Sequence, residues 1–360
     1  MPGQLISYGW NDRVAGLFSE FDTPSSFPGR VIRVDRGSAL VATDDVTVRA
    51  SPHALASRRH DLDAVPATGD WVAVVDDPDE GWAVVAVVPR WSSIGRKDPE
   101  EATLAEQVLA ANVDVFAAVT ALDRPVSRNR LERMLVVAWE SGATPVVVLT
   151  KADLCDDVND MDKALRAAEE AAAGVDVFVT SAATGAGVDG VGALAEAGRT
   201  LALLGPSGAG KSSLVNRLLG AEVQAVGDVR ALDHRGRHTT TTRDLIPLPG
   251  GGVLLDTPGL RSLPLWEAEE GLAAAFSEIE ELGSECRFRD CGHDREPGCA
   301  VKAAIAGGSL DRRRFDSYRK LQRELERIEG RKTAHERRSE AKRFARSIKV
   351  REKLNPNRKR

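Results

Sequence analysis

Short apolar runs separated by turn residues mark the first quarter of the chain. Between residues 28 and 92 the runs are separated by Gly and Asp residues, which is typical of strands joined by tight turns. They predict five strands, at Arg30–Val34, Ala39–Thr43, Val46–Ala50, Trp71–Asp76 and Trp82–Val88. Five short strands in one segment indicate a small β-barrel, and an oligonucleotide-binding (OB) type of barrel fits that count. Residues 1–27 show no comparable pattern.

From about residue 105 the pattern changes to apolar strands that alternate with amphipathic helices. The predicted strands are Val113–Ala121, Pro145–Thr150, Val175–Ser181, Thr200–Leu204 and Val253–Asp256. The predicted helices are Arg128–Glu140, Met161–Ala173 and Ser212–Leu219. This alternation predicts a parallel α/β sheet whose ligand-binding loops follow the carboxyl ends of the strands.

The last part of the chain is predominantly helical, and 360 residues exceed one typical domain. A multidomain protein is therefore expected. Its predicted parts are an N-terminal extension (1–27), the OB-type barrel (28–92), a central α/β domain (105–270), a mostly helical C-terminal domain (271–330) and a basic tail (331–360).

Composition narrows the class of protein. Hydrophobic residues make up 42% of the chain and charged residues 29%. No apolar run approaches the roughly 18 residues that a membrane-spanning helix needs, and the N-terminus lacks the pattern of a secretory signal. Four cysteines in a chain of this size do not suggest a disulfide scaffold. We therefore expect a cytoplasmic protein without a membrane partner.

The charge is distributed unevenly. Residues 311–360 contain 20 Lys and Arg against 8 Asp and Glu, a net +12. Because the whole chain carries −5, the first 310 residues carry −17. A basic tail on an acidic body suggests a polyanionic partner, although a solvated, charge-rich helix would have the same composition.

A phosphate-binding loop follows the strand Thr200–Leu204 and opens the next helix. The pattern G-x-x-x-x-G-K-[ST] is met by Gly205, Pro206, Ser207, Gly208, Ala209, Gly210, Lys211 and Ser212. Its glycines let backbone N–H groups point at phosphate oxygens, Lys211 adds charge at the β- and γ-phosphates, and Ser212 offers a hydroxyl to Mg²⁺. Asp256 closes a later strand and is expected to orient Mg²⁺ through water, while Gly259 would donate its N–H to the γ-phosphate.

Residues that read the base come earlier in the chain. The run Thr150, Lys151, Ala152 and Asp153 follows a strand. The Asp153 carboxylate can accept both N–H donors of guanine, a pairing that adenine does not offer. Lys151 would pack along the base, and Ser181 with Ala182 would bring a backbone N–H near the guanine oxygen. The nucleotide is therefore expected to be GTP or GDP.

Gly236–Thr242 lies between these phosphate elements and has the composition of a switch loop. Thr240 is the expected sensor of Mg²⁺ and γ-phosphate, with Thr239 and Thr241 as alternatives. Leu260 occupies the position where many GTPases have a glutamine that orients water, so intrinsic hydrolysis should be slow. His238 is a candidate for the missing catalytic group.

A compact set of metal ligands follows. The spacing Cys286-x4-Cys291-x-His293-x5-Cys299 places three of the four cysteines beside a histidine. Thiolates and an imidazole suit tetrahedral Zn²⁺, and four protein ligands leave no open position for catalysis. We predict one structural zinc ion.

The base-reading element precedes the phosphate loop, whereas it follows that loop in an ordinary GTPase. The chain resembles the RsgA family, the circularly permuted GTPases that depend on the small ribosomal subunit. The resemblance rests on the permuted order, the segment Gly236–Thr242, Leu260, and the zinc-ligand spacing that includes Glu296–Cys299. The resemblance spans roughly residues 28–325.

The resemblance implies an OB barrel, a permuted P-loop GTPase domain and a zinc-binding C-terminal domain, and it adds Ser213 to the GTP-binding residues. It also implies late maturation of the small ribosomal subunit, contact with its rRNA and GTP hydrolysis stimulated by the ribosome, and we expect a monomer. Two alternatives stay open: a permuted GTPase that acts on another RNA target, and a zinc and OB module that only senses GTP.

Overall fold

The computed structural model describes residues 3–52, 65–97, 106–155, 157–196, 198–220, 244–256, 268–328 and 330. Two short helices precede the barrel. They are α1 (Gln4–Ser7) and α2 (Asp12–Phe18), and the Asn11 side chain caps the second by accepting a hydrogen bond from a first-turn N–H at 3.1 Å. The Trp10 ring meets the Trp71 ring edge-on, with centroids 5.4 Å apart. These helices therefore pack on the barrel, although the sequence pattern left residues 1–27 unassigned.

Five strands form the barrel: β1 (Phe27–Asp35), β2 (Ser38–Ala42), β3 (Thr47–Ala50), β4 (Trp71–Asp77) and β5 (Gly81–Val87). They pair in the order β3-β2-β1-β4-β5, with every pair antiparallel. Ser51, just after β3, exchanges backbone hydrogen bonds with Trp82 and Val84 of β5, which joins the two edge strands and closes the barrel. The interior is filled by Val31, Val41, Val48, Val72, Val74 and Val84. The predicted OB-type barrel is confirmed.

The central sheet follows a hairpin that the sequence pattern did not predict, β6 (Ser93–Lys97) with β7 (Glu106–Ala111). Its strands are β8 (Val115–Ala121), β9 (Thr144–Thr150), β10 (Val177–Val179), β11 (Thr200–Leu204), β12 (Asp244–Pro247) and β13 (Val253–Asp256). They lie in the order β10-β9-β8-β11-β13-β12. Five are parallel as predicted, but β12 pairs antiparallel with β13 at the edge, so the sheet is mixed.

Helices cover both faces of this sheet. They are α3 (Arg128–Glu140), α4 (Val158–Ala171), α5 (Val188–Ala193) and α6 (Lys211–Leu218). The first two pack with Phe116 and Ala118 of β8, whereas the last two pack with Val115, Ala117 and Val119 on the other face. Because both faces are covered, all five residues of β11 are buried, which explains their continuous apolar run.

The C-terminal part is helical, as predicted. It contains α7 (Glu269–Ala275), α8 (Ser277–Ser284), α9 (Ala300–Gly307) and a helix at 312–328, here α10. A shared core of Phe276, Ile279, Val301, Phe315 and Leu321 holds them together. None of the helices in the described ranges is both long and apolar enough to cross a membrane.

A buried charge cluster fixes α10 to α3. The Glu132 carboxylate of α3 is fully buried and accepts hydrogen bonds from Arg313 at 3.0 Å and Arg314 at 3.2 Å. Ser317 donates to the same carboxylate at 2.5 Å, and Arg314 also pairs with Glu278 of α8 at 2.7 Å. Arg314 also donates to the Ala171 carbonyl at the end of α4, so the C-terminal helices are tied to the central domain through α3 and α4.

Arg30 makes a similar connection between the barrel and the sheet. Its side chain is fully buried, and it donates to the Tyr8 carbonyl at 2.6 Å and to the Thr200 hydroxyl at 2.8 Å. Burial lowers the pKa of Arg30 to about 10. Since Thr200 begins β11, the barrel is attached to the strand that leads into the phosphate loop.

Candidate functional site

The predicted ligand-binding residues meet at one edge of the central sheet. The strands β8, β9, β10, β11 and β13 run parallel, so their carboxyl ends lie together. Four of the predicted elements follow or close such ends: Thr150–Asp153 at β9, Ser181 and Ala182 after β10, the phosphate loop after β11, and Asp256 at β13. This edge is where α/β sheets bind their ligands.

The phosphate loop has the geometry of an anion cradle. Gly208 and Gly210 have φ of +77° and +81°, which side chains with a Cβ rarely adopt. A Cβ on Gly205 would lie 2.4 Å from the Val119 carbonyl oxygen, so the loop can pack only with glycine there. Helix α6 begins at Lys211, and its N-terminal N–H groups favour a bound phosphate.

The catalytic candidates of this loop occupy the first turn of α6. Lys211 Nζ donates to the carbonyls of Gly205 at 2.7 Å and Pro206 at 2.9 Å, so the ammonium lies across the loop. Ser212 and Ser213 follow and are exposed. The donor set fits a phosphate chain with a Mg²⁺ ion.

Thr150 joins the base-reading loop to the phosphate loop. Thr150 is buried, with 3% of its surface exposed, and its hydroxyl donates to the Ala209 carbonyl at 2.6 Å. Lys151 follows with φ of +61°, and its Cε lies 3.8 Å from the position that a Cβ on Gly210 would take. The two elements, more than fifty residues apart in sequence, thus form one site, and the threonine hydroxyl makes the connection itself.

The carboxylate predicted to read guanine is held by a residue that follows the neighbouring strand. The exposed Asp153 carboxylate accepts a hydrogen bond from Ser181 Oγ at 2.5 Å, and Ser181 itself is buried. The Ala152 N–H donates to the Thr180 carbonyl at 3.1 Å, which aligns the two loops. Ala182 follows Ser181 directly and is half-buried. The structure therefore brings together all the residues predicted to contact the base.

The switch residues are placed only in part. The backbone of Asp256 ends β13 beside β11 and opposite Asp244 of β12. The other predictions, His238, Thr240, Gly259 and Leu260, lie outside the described residues. The same holds for the basic tail, 331–360.

Two residues of the site were missed by sequence reasoning. They are Asp123 and Arg124. The Asp123 carboxylate accepts hydrogen bonds from Lys151 Nζ at 2.6 Å and from Arg124 Nε at 2.9 Å. Both partners lower the pKa of Asp123 to about 2, Arg124 more strongly. The available signal was their position: they are polar residues two and three places after the buried strand β8, at the edge where the ligand loops lie.

The four predicted metal ligands converge between α8 and α9. Their ligand atoms all lie within 4.8 Å of one another. His293 Nδ1 is 3.6 Å from Cys286 Sγ and 3.4 Å from Cys299 Sγ, and these two sulfurs are 3.9 Å apart. Tetrahedral zinc with Zn–S of about 2.3 Å and Zn–N of about 2.0 Å would set such ligand pairs about 3.5–3.8 Å apart. The donor set fits zinc, and Cys286, His293 and Cys299 already lie near this spacing.

Glu296 shapes the ligand loop. Its carboxylate accepts hydrogen bonds from the backbone N–H groups of Gly292 at 3.0 Å, Asp294 at 2.9 Å and Arg295 at 3.0 Å. Backbone hydrogen bonds lower the pKa of Glu296 to about 2. His293 sits inside this turn with φ of +58°, so the carboxylate stabilises the conformation that presents the imidazole.

Sequence comparisons identify one family of relatives. The profile of the RsgA GTPase family matches residues 87–266. A small ribosomal subunit biogenesis GTPase RsgA of Streptomyces avermitilis is 48% identical over 324 residues, covering 90% of this chain and 86% of that protein. A protein of the same description from Methanosarcina acetivorans is 37% identical, covering 88% of this chain and 84% of its own length.

Solved structures agree. YjeQ from Thermotoga maritima superimposes with a TM-score of 0.62 at 25% identity, over 83% of this chain and 98% of that chain. YloQ, described as a circularly permuted GTPase, has a TM-score of 0.60 at 26% identity, over 86% and 96%. The sequence identity extends along nine tenths of the chain, the family profile matches its central region, and the permuted fold is shared. The chain therefore belongs to the RsgA GTPase family.

Proposed function

We propose that this GTPase binds the small ribosomal subunit late in its maturation, in the cytoplasm and as a monomer, and leaves it after hydrolysing GTP to GDP and phosphate. The observation that carries the nucleotide part is the 2.6 Å hydrogen bond from Thr150 to Ala209, which unites the base-reading and phosphate loops. The subunit is named in the descriptions of its relatives, and the acidic body with a basic tail suits a partner made of RNA.

In the proposed site each group has a separate task. Asp153 would accept the N1–H and the exocyclic amine of guanine, and Lys151 would cover the base. Gly208 and Gly210 would direct backbone N–H groups at the phosphates, while Lys211 would leave the loop carbonyls for the β- and γ-oxygens. Ser212 and Asp256 would hold Mg²⁺, which neutralises charge on the transferred phosphoryl group.

Hydrolysis by the isolated chain should be slow. Leucine at position 260 cannot orient water by hydrogen bonding. His238 is the proposed substitute and Thr240 the proposed γ-phosphate sensor, both within the segment 236–242 that precedes β12 in the sequence. A partner that supplies or positions the missing catalytic group would restore these contacts, which can change turnover by factors of about 10³–10⁵.

The zinc centre is proposed to be structural. Cys286, Cys291, His293 and Cys299 would hold one Zn²⁺, and four protein ligands leave no position for substrate. The ion would fix the loop between α8 and α9 on a C-terminal unit that α10 ties to the GTPase domain. Together with the barrel and the basic tail, this unit would present surfaces to rRNA.

Nucleotide-dependent binding tests this proposal. Small subunits are sedimented with the chain in the presence of a non-hydrolysable GTP analogue or GDP at fixed salt. We expect retention with the analogue and release with GDP, and loss of the difference in Lys211→Ala. Equal retention with both nucleotides, or retention by large subunits to the same extent, would contradict the proposed role.

A further inference from the structure

Two residues at the end of β8 lie within the nucleotide site. In the sheet β8 lies between β9 and β11, so its carboxyl end separates the base-reading loop from the phosphate loop. The Leu122 N–H donates to the Thr150 carbonyl at 2.9 Å, which holds the chain after β8 against the base-reading loop. Asp123 and Arg124 follow at once and therefore face the space between the two loops.

Asp123 fixes the position of Lys151. The lysine stem runs along the phosphate loop at Gly210, and its ammonium ends on Asp123 Oδ2 at 2.6 Å. The Lys151 side chain is only 28% exposed, although it belongs to a surface loop. A lysine that has to lie along a purine ring is thus held at both its backbone and its charged end.

Arg124 reaches the opening of the phosphate loop. Its Nη2 lies 3.9 Å from the position that a Cβ on Gly208 would occupy. Within the described ranges its side-chain hydrogen bonds go to the adjacent Asp123, and 56% of the side chain is exposed. The guanidinium is therefore beside the phosphate cradle and accessible to a ligand there.

We propose that Arg124 binds the β-phosphate of the guanine nucleotide and that Asp123 is a positioning residue, which holds Lys151 for the base and Arg124 for the phosphate. The proposal rests on the nucleotide site proposed above. A guanidinium provides planar, charge-assisted hydrogen bonds to phosphate oxygens. Lys211 lies against the carbonyls of Gly205 and Pro206, so Arg124, which lies near Gly208, would supply a second cation.

A set of nucleotides separates the two roles. Dissociation constants of GMP, GDP and GTPγS are measured by competition with fluorescent mant-GDP, using the full chain. Arg124→Ala is expected to weaken GDP and GTPγS by about 10-fold and GMP by less than 2-fold, with partial recovery in Arg124→Lys. Asp123→Asn is expected to weaken all three nucleotides, and GDP and GTPγS more than GMP, because it releases both Lys151 at the base and Arg124 at the phosphate. Asp123→Glu should restore most of the affinity.

Arg130→Ala is the matched control, since this arginine is exposed on α3, six residues further along the chain. Unchanged GDP affinity in Arg124→Ala, or an equal loss for GMP, would overturn the phosphate role. A GDP-specific loss in Asp123→Asn, or no recovery in Asp123→Glu, would overturn the positioning role. Lys211→Ala separates these failures from failure of the site itself: if it also keeps full GDP affinity, the phosphate-loop assignment is wrong.

Discussion

The buried carboxylate of Glu132 should determine how firmly the C-terminal unit is attached. The test is Glu132→Gln, which keeps the size of the side chain and removes its charge. In the native chain this carboxylate has no exposed surface and receives Arg313, Arg314 and Ser317. The substitution leaves Arg314, whose side chain is 5% exposed, without its buried counter-charge.

Removal of one partner from a buried ion pair costs about 3–5 kcal/mol of the free energy of unfolding. The lower end applies here because Arg314 keeps Glu278 at 2.7 Å and two backbone carbonyls, those of Ala171 and Ala275. We therefore expect a loss of about 3 kcal/mol. For a cooperative unit of 150–250 residues each kcal/mol lowers Tm by about 2–4 °C, which gives about 6–12 °C.

Differential scanning calorimetry of the zinc-loaded chain measures the shift, and limited proteolysis shows whether residues 268–328 are released first. Glu170→Gln is the matched control on the same face of the domain. Glu170 pairs with Arg128 of α3 at 2.5 Å, but the two side chains are 51% and 33% exposed. Solvent screens such a pair, so the control should lose less than about 1 kcal/mol. An equally small loss in Glu132→Gln would refute the reasoning.

Further predictions concern the base, the metal and the tail. Asp153→Asn should weaken GDP binding by about 10-fold or more, because mispaired buried donors cost about 1–3 kcal/mol. The same variant should bind xanthosine diphosphate more tightly, because the C2 carbonyl of that base accepts the new amide N–H. Calorimetric titration of both nucleotides checks both outcomes. Cys291→Ser should reduce bound zinc, measured by elemental analysis, from about one ion per chain and loosen the C-terminal unit while GDP affinity changes less than 2-fold. Deletion of residues 331–360 should weaken binding to the small subunit. It should also reduce the slope of log Kd against log salt concentration, because fewer counterions are released when fewer phosphates are contacted. An unchanged slope would show that the tail does not contact RNA.

The elements that the sequence predicts well are those whose signals are local. Helix Arg128–Glu140 and strand Thr200–Leu204 have the predicted bounds, because an apolar period and flanking turn residues mark both ends. The sequence assigns Asp153 and Ser181 to the same base. Their contact was not predicted; it arises because they follow β9 and β10, which are adjacent parallel strands.

The features that sequence reasoning missed depend on distant contacts. A charged residue such as Glu132 within a helix is typical of a solvated face. It is buried here because residues of α10, more than 180 positions away in the sequence, lie on it. The short helix α2 depends on the packing of Phe18 and Trp10 against the barrel, which no local period reveals. The edge strand β12 gains its pairing from β13, so its four residues have no independent strand signal.

We propose that a guanine-nucleotide site assembled in permuted order is activated by the small ribosomal subunit. Multiple-turnover GTP hydrolysis, titrated with purified small subunits at fixed salt, tests it most directly. We expect slow turnover of the chain alone, a rate that rises and saturates with subunits, and no stimulated rate in Lys211→Ala. Rapid hydrolysis by the isolated chain that small subunits leave unchanged would contradict the account.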